Sequence, residues 1–228
     1  MNNLKLTRLA ILAFTVLLGG HARAQEAIDS TYANGYYVAR MEFFQQLPSI
    51  KKGVVFLGNS ITEAGDWTDV LPGRRVQNRG ISGDNSFGVV ARLDHILKDK
   101  PARLFVMIGV NDLKRGVPTE VIIRNYRRIA QHVRLKSPRT KLYLQSVLPI
   151  NTELLIEPFR AVKNDDIRIL NEGLKKIASE FAAEYVDLWP VLADANGELK
   201  KEFTGDGIHV KPIAYVHWAR HLKEQGLL

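Results

Sequence analysis

Short β-rich runs that break off sharply and give way to longer amphipathic stretches recur along this chain, and few architectures accommodate that pattern. The runs fall at 53–57, 75–78, 103–108, 141–147 and 185–188. Several of them, such as Val54-Val55-Phe56-Leu57, are apolar at every position rather than at alternate ones. A strand that is apolar on both sides must be covered on both sides, which is the condition of a parallel sheet between helical layers. The helical segments expected at 30–46, 87–98, 119–136, 165–181 and 213–223 supply those layers. Right-handed crossovers then make a three-layer αβα sandwich, with ligands bound beyond the carboxyl ends of the strands.

Composition bounds the rest. The 228 residues are 46% hydrophobic and 25% charged, which suits one globular domain after a leader. Lys5 and Arg8 precede an apolar run at 9–18, and Ala22-Arg23-Ala24 offers small residues for cleavage. Residues 1–24 therefore read as a secretory signal, and 25–228 as a single exported domain, periplasmic or extracellular. The run is shorter than the roughly 20 residues that span a bilayer, so no stable membrane anchor is expected. The sequence contains no cysteine, so neither disulfides nor a lipid anchor on cysteine can contribute. The formal charge of +8 falls to +5 without the leader, at 29 basic against 24 acidic residues. Arg124, Arg127, Arg128, Arg134 and Lys136 share one helix and read as a solvated face, so no nucleic-acid partner is expected.

Four segments at strand ends carry residue types suited to acyl transfer. Ser60 stands in Gly58-Asn59-Ser60-Ile61-Thr62, directly after the apolar strand. A serine hydroxyl is a weak nucleophile without a base, and Thr62 replaces the second glycine of the Gly-x-Ser-x-Gly elbow, which disfavours an α/β-hydrolase. Asn78-Arg79-Gly80-Ile81-Ser82-Gly83-Asp84-Asn85 can turn sharply and expose backbone N–H groups. Gly109-Val110-Asn111-Asp112 places an amide at a strand end, where it can donate to a developing oxyanion. In Asp206-Gly207-Ile208-His209, a carboxylate three residues before a histidine can orient the ring. Each segment has an ordinary turn or capping role as well.

Taken in order, these four blocks resemble the SGNH hydrolases, also called the GDSL esterase/lipase family, and the resemblance covers essentially all of 25–228. It is closest to the branch similar to platelet-activating factor acetylhydrolase catalytic subunits and bacterial acetylesterases. The resemblance implies a flavodoxin-like five-stranded sheet of order 2-1-3-4-5. It implies Ser60 as nucleophile, His209 as base and Asp206 as its partner. It also implies an oxyanion hole from the N–H groups of Ser60 and Gly83 and the side chain of Asn111. Many members have Asp where this chain has Asn59.

The expected activity is hydrolysis of small acyl esters, chiefly acetyl, on carbohydrate, with no metal or organic cofactor. Longer-chain lysophospholipase or thioesterase activity, or glycan binding without catalysis, are the alternatives. Trp67 either lines the acyl or sugar side of the pocket or is buried, and Asn78 and Asn85 are further candidates for substrate contact. His217 and His221, four apart on the last helix, lack a third ligand and are not assigned a metal.

Overall fold

The computed structural model describes residues 28–228, so the expected signal at 1–24 lies outside the described residues. Strands β1 (Val54–Gly58), β2 (Val76–Gly80), β3 (Arg103–Met107), β4 (Lys141–Gln145) and β5 (Glu184–Val186) form one parallel sheet. Their order is β2-β1-β3-β4-β5, as the family resemblance implies. The register sets Gly58 level with Gly80 on one side and with Met107 on the other. Three chains therefore leave the sheet at one height, side by side.

Helix α1 (Gly35–Gln46) precedes the sheet, and α2 (Ser60–Glu63) and α3 (Trp67–Val70) follow β1. After β2 come α4 (Ser86–Ala91) and α5 (Leu93–Leu97), and after β3 come α6 (Val110–Lys114) and α7 (Thr119–Lys136). Helices α8 (Asn164–Glu180), α9 (Trp189–Leu192) and α10 (Pro212–Glu224) complete the layers.

Side chains alternate between the faces of a strand, and level neighbours on adjacent strands share a face. On one face Phe56, Phe105 and Tyr143 are level and stack in a row, with centroids 4.9 and 4.4 Å apart. Trp67 lies flat on Phe56 at 3.9 Å and meets Tyr215 and Trp218 of α10 edge-on. On the other face Leu57, Val106 and Leu144 join the same buried cluster as Ile122, Ile129 and Leu174 of α7 and α8.

Boundaries shift where a side chain competes for backbone groups. The first helix begins at Gly35 rather than near Ser30, because Asn34 caps it by accepting the Tyr37 N–H at 2.9 Å. The segment expected at 87–98 breaks at Arg92, whose guanidinium turns inward to a buried carboxylate. No helix among the described residues is long and apolar enough to cross a membrane.

Candidate active site

The sheet order explains how segments far apart in sequence meet. Ser60 follows β1, Gly83 follows β2 and Asn111 follows β3, and β1 lies between the other two strands. Asn59 is extended, and its Oδ1 accepts the Ile61 N–H at 3.0 Å, so α2 starts directly after it. The amide thus performs the capping role that a carboxylate would perform there. As the first helical residue, Ser60 has an N–H with no acceptor inside the helix.

The partner of Ser60 comes from the loop before α10. Thr204 Oγ1 accepts the Gly207 N–H at 2.9 Å, and Asp206 Oδ1 accepts the N–H groups of Ile208 and His209 at 3.0 and 2.8 Å. Gly207 has φ +81, and a Cβ there would stand 2.5 Å from the Asn151 carbonyl oxygen, so only glycine fits. The free oxygen of Asp206, Oδ2, is 2.6 Å from His209 Nδ1, and His209 Nε2 is 3.1 Å from Ser60 Oγ.

Burial pushes the Asp206 carboxyl up, but hydrogen bonds from the His209 ring and from the Ile208 and His209 N–H groups outweigh it. The carboxyl therefore lies below its ordinary value and stays charged. A charged Oδ2 favours the proton on Nδ1, which leaves Nε2 to accept from the serine hydroxyl. Tyr215 OH donates to the Ile61 carbonyl at 2.7 Å and ties α10, which follows the His209 loop, to α2, which begins at Ser60.

The loop after β2 is braced at nearly every polar atom. Glu63 Oε2 accepts both the N–H and the hydroxyl of Ser82, at 2.7 and 2.5 Å, and the Asp84 N–H donates to the Ile81 carbonyl. Between them Gly83 adopts φ +80, and among the described residues its N–H has no protein acceptor. Asn111 Nδ2 donates to the Asp84 carbonyl at 2.9 Å, which leaves its second amide hydrogen available.

Beneath this loop Arg92 and Asp84 form a pair with no solvent exposure, at 2.7 Å. The same guanidinium donates to the carbonyls of Gly58 and Arg79, so one side chain joins the ends of β1 and β2 to the loop. Asp112 accepts the Ser86 N–H and hydroxyl and makes no link to Ser60; burial pushes its carboxyl up to about 6.

The three candidates for substrate contact occupy other positions. Trp67 is buried in the aromatic stack, and its Nε1 donates to the Thr62 carbonyl at 2.8 Å, which settles it as core. Asn78 is a clamp whose Nδ2 donates to the carbonyls of Glu63 and Gly65, while its Oδ1 accepts the Gly80 N–H. Asn85 caps α4, accepting from Phe87 and Gly88, and donates to the Thr31 carbonyl. Their polar groups are already partnered within the protein.

Residues that sequence reasoning passed over also surround the site. Glu63, Arg92 and Asn151 fix its loops, and Phe159 meets the His209 ring edge-on at 6.2 Å. His217 packs against Phe203, and among the described residues no group of three metal-binding side chains occurs.

The model of the GDSL-like Lipase/Acylhydrolase family matches residues 56–216. The chain is 30% identical over 150 residues to the GDSL esterase/lipase WDL1 of Oryza sativa subsp. japonica, covering 58% of this chain and 57% of that protein. It is 29% identical over 136 residues to the Esterase TesA of Pseudomonas aeruginosa, covering 59% of this chain and 61% of that one. Among solved structures, one from Streptococcus pneumonia described as a candidate platelet activating factor is 26% identical with a TM-score of 0.77, covering 83% of this chain and 92% of that chain. A GDSL-like lipase from Bacteroides thetaiotaomicron, 24% identical with a TM-score of 0.71 and covering 84% and 98%, shares the fold. Since the family model runs from within β1 into α10, over more than half of the chain, the chain belongs to the GDSL-like lipase/acylhydrolase (SGNH) family and is an ester-hydrolysing serine hydrolase.

Proposed function

We propose that this protein is an exported esterase that removes small acyl groups, chiefly acetyl, from carbohydrate, with Ser60, His209 and Asp206 as a catalytic triad. The observation that carries the reading is the continuous hydrogen-bonded line from Ser60 Oγ through the His209 ring to Asp206, at 3.1 and 2.6 Å. Ser60 Oγ attacks the ester carbonyl carbon while His209 Nε2 takes its proton. The carbonyl oxygen becomes an oxyanion received by the N–H groups of Ser60 and Gly83 and the Asn111 amide. Collapse breaks the ester C–O bond, and His209 returns the proton to the departing alcohol. Water then repeats the sequence on the acyl-serine and frees the acid. No step calls for a metal or organic cofactor.

The open side of the site supports a large alcohol: the His209 side chain is 41% exposed, so a bulky alcohol can reach the base. The basic and apolar residues at 5–18 support export.

Turnover of acetyl, octanoyl and palmitoyl p-nitrophenyl esters tests the acyl preference, and release of acetate from an acetylated xylan tests the alcohol. The reading requires kcat/KM to fall from acetyl to palmitoyl and acetate to be released. A preference for palmitoyl would replace it with a long-chain lipase or thioesterase.

A further inference from the structure

Three adjoining grooves run along the amino-terminal edge of the sheet, one strand length, or about 17 Å, from the catalytic rim. Their volumes are about 610, 810 and 480 Å³, and the middle one shares Lys51 with the first and Arg139 with the last. The turns that feed the strands supply cations in the order of the sheet. Arg74 and Arg75 precede β2, and Lys51 and Lys52 precede β1. Lys98 and Lys100 precede β3, and Lys136 and Arg139 precede β4. All eight are exposed, and among the described residues none has a carboxylate oxygen within 4.0 Å.

Charge is segregated to this edge. The groove linings hold ten Lys or Arg against Asp99 and Glu184, whereas the rest of the described chain has 19 Lys or Arg against 21 Asp or Glu. The whole positive excess of the described chain therefore lies along one row. Asp99, whose carboxylate accepts from the Ser49 hydroxyl at 2.6 Å, offsets only one of these charges. Lys52 and Lys100 have φ +55 and +46, a conformation that glycine or asparagine adopts more readily, yet both positions carry a lysine. Like charges concentrated in this way repel one another, and only an anion removes the cost.

We propose that this edge binds a linear acidic polysaccharide laid across the strand ends. Adjacent strands are ~4.8 Å apart, so the cations before four neighbouring strands form a row of roughly 14 Å that suits a chain with regularly spaced carboxylates or sulfates. A single-stranded nucleic acid would want aromatic platforms for its bases. The aromatic side chain in these linings, Tyr143, is buried at 3% exposure. An anionic bilayer would want a protruding apolar face, and the exposed large apolar side chain beside this row is a single leucine, Leu135, next to Lys136.

Native gels cast with polygalacturonate test the proposal with the full chain, and they read binding rather than catalysis, so the result stands apart from the role of Ser60. The expected result is retardation at low salt that about 0.5 M NaCl abolishes, with none in a neutral glucan gel. Combining K51E, K100E, K136E and R139E weakens binding at least about tenfold, while the Gln versions of the four positions weaken it less. Turnover of p-nitrophenyl acetate and Tm stay at wild-type values in the Gln variant. Absence of retardation, equal retardation of both variants and wild type, or tighter binding to duplex DNA or phosphatidylglycerol vesicles overturns the proposal.

Discussion

Two asparagines of the candidate site are expected to respond differently to substitution. Asn111 has one amide hydrogen committed to the Asp84 carbonyl and one available to an oxyanion, so Asn111→Ala lowers kcat by ~10²-fold or more while the protein remains folded. Steady-state kinetics on p-nitrophenyl acetate with a circular dichroism spectrum checks both halves. Asn59 acts through its acceptor oxygen alone. Asn59→Asp keeps that acceptor and places negative charge at a helix start, so turnover stays within a few-fold of wild type. Asn59→Ala loses the cap and costs about 1 kcal/mol in urea denaturation. At this scale the meeting of Ser60, His209 and Asp206 was legible because the candidate residues sit in short blocks whose spacing survives in one dimension. Trp67, Asn78 and Asn85 had no such marker, since an aromatic or an amide beside a nucleophile reads alike whether it faces substrate or backbone.

The elements are held in place by two carboxylates that join segments distant in sequence. Glu63 faces Ser82 with one oxygen and Tyr36 and Arg40 of α1 with the other, at 2.7 and 3.0 Å for the latter pair, so it couples the first helix to the loop bearing Gly83. Glu63→Ala frees that loop and lowers kcat by up to about 10²-fold with a smaller change in KM, which steady-state kinetics resolves. Equal loss in KM alone would place Glu63 in substrate binding instead. Arg92 and Asp84 form the other brace, and Arg92→Ala leaves a carboxylate buried without its partner, at a cost of about 3–5 kcal/mol by urea denaturation. Neither brace was legible. Asp84 and Arg92 are eight residues apart with no periodicity to link them, and Glu63 reads as an ordinary first-turn acid. Helix 119–136, by contrast, was legible to the residue, because one long amphipathic period runs between Pro118 and Ser137.

Across the whole molecule, the parallel sheet has the candidate site at its carboxyl edge and a row of positive charge at its amino edge. The layer order was legible because strands apolar on both faces admit few arrangements, whereas the charge segregation was not, since its residues come from turns spread between 51 and 141. Stability against pH has a contribution of definite sign from Asp112. Its carboxyl is raised to about 6 in the folded protein, so the folded state holds the proton more tightly than the unfolded chain. That contribution is fully present below the ordinary carboxyl value of 3.8 and is lost as pH rises through about 6. The stability of wild type relative to Asp112→Asn therefore falls by a few kcal/mol between these limits, as chemical denaturation at a series of pH values measures. A relative stability that rises over that interval would mean that the folded carboxyl is held ionised.

The claim on which the account rests is that Ser60 is the activated nucleophile, and covalent labelling with a fluorophosphonate followed by peptide mapping addresses it directly. The account predicts one phosphonyl adduct, on the peptide containing Ser60, with both labelling and p-nitrophenyl acetate hydrolysis abolished in Ser60→Ala. A folded wild-type protein that takes no label, or a Ser60→Ala variant that still hydrolyses the ester, would contradict it.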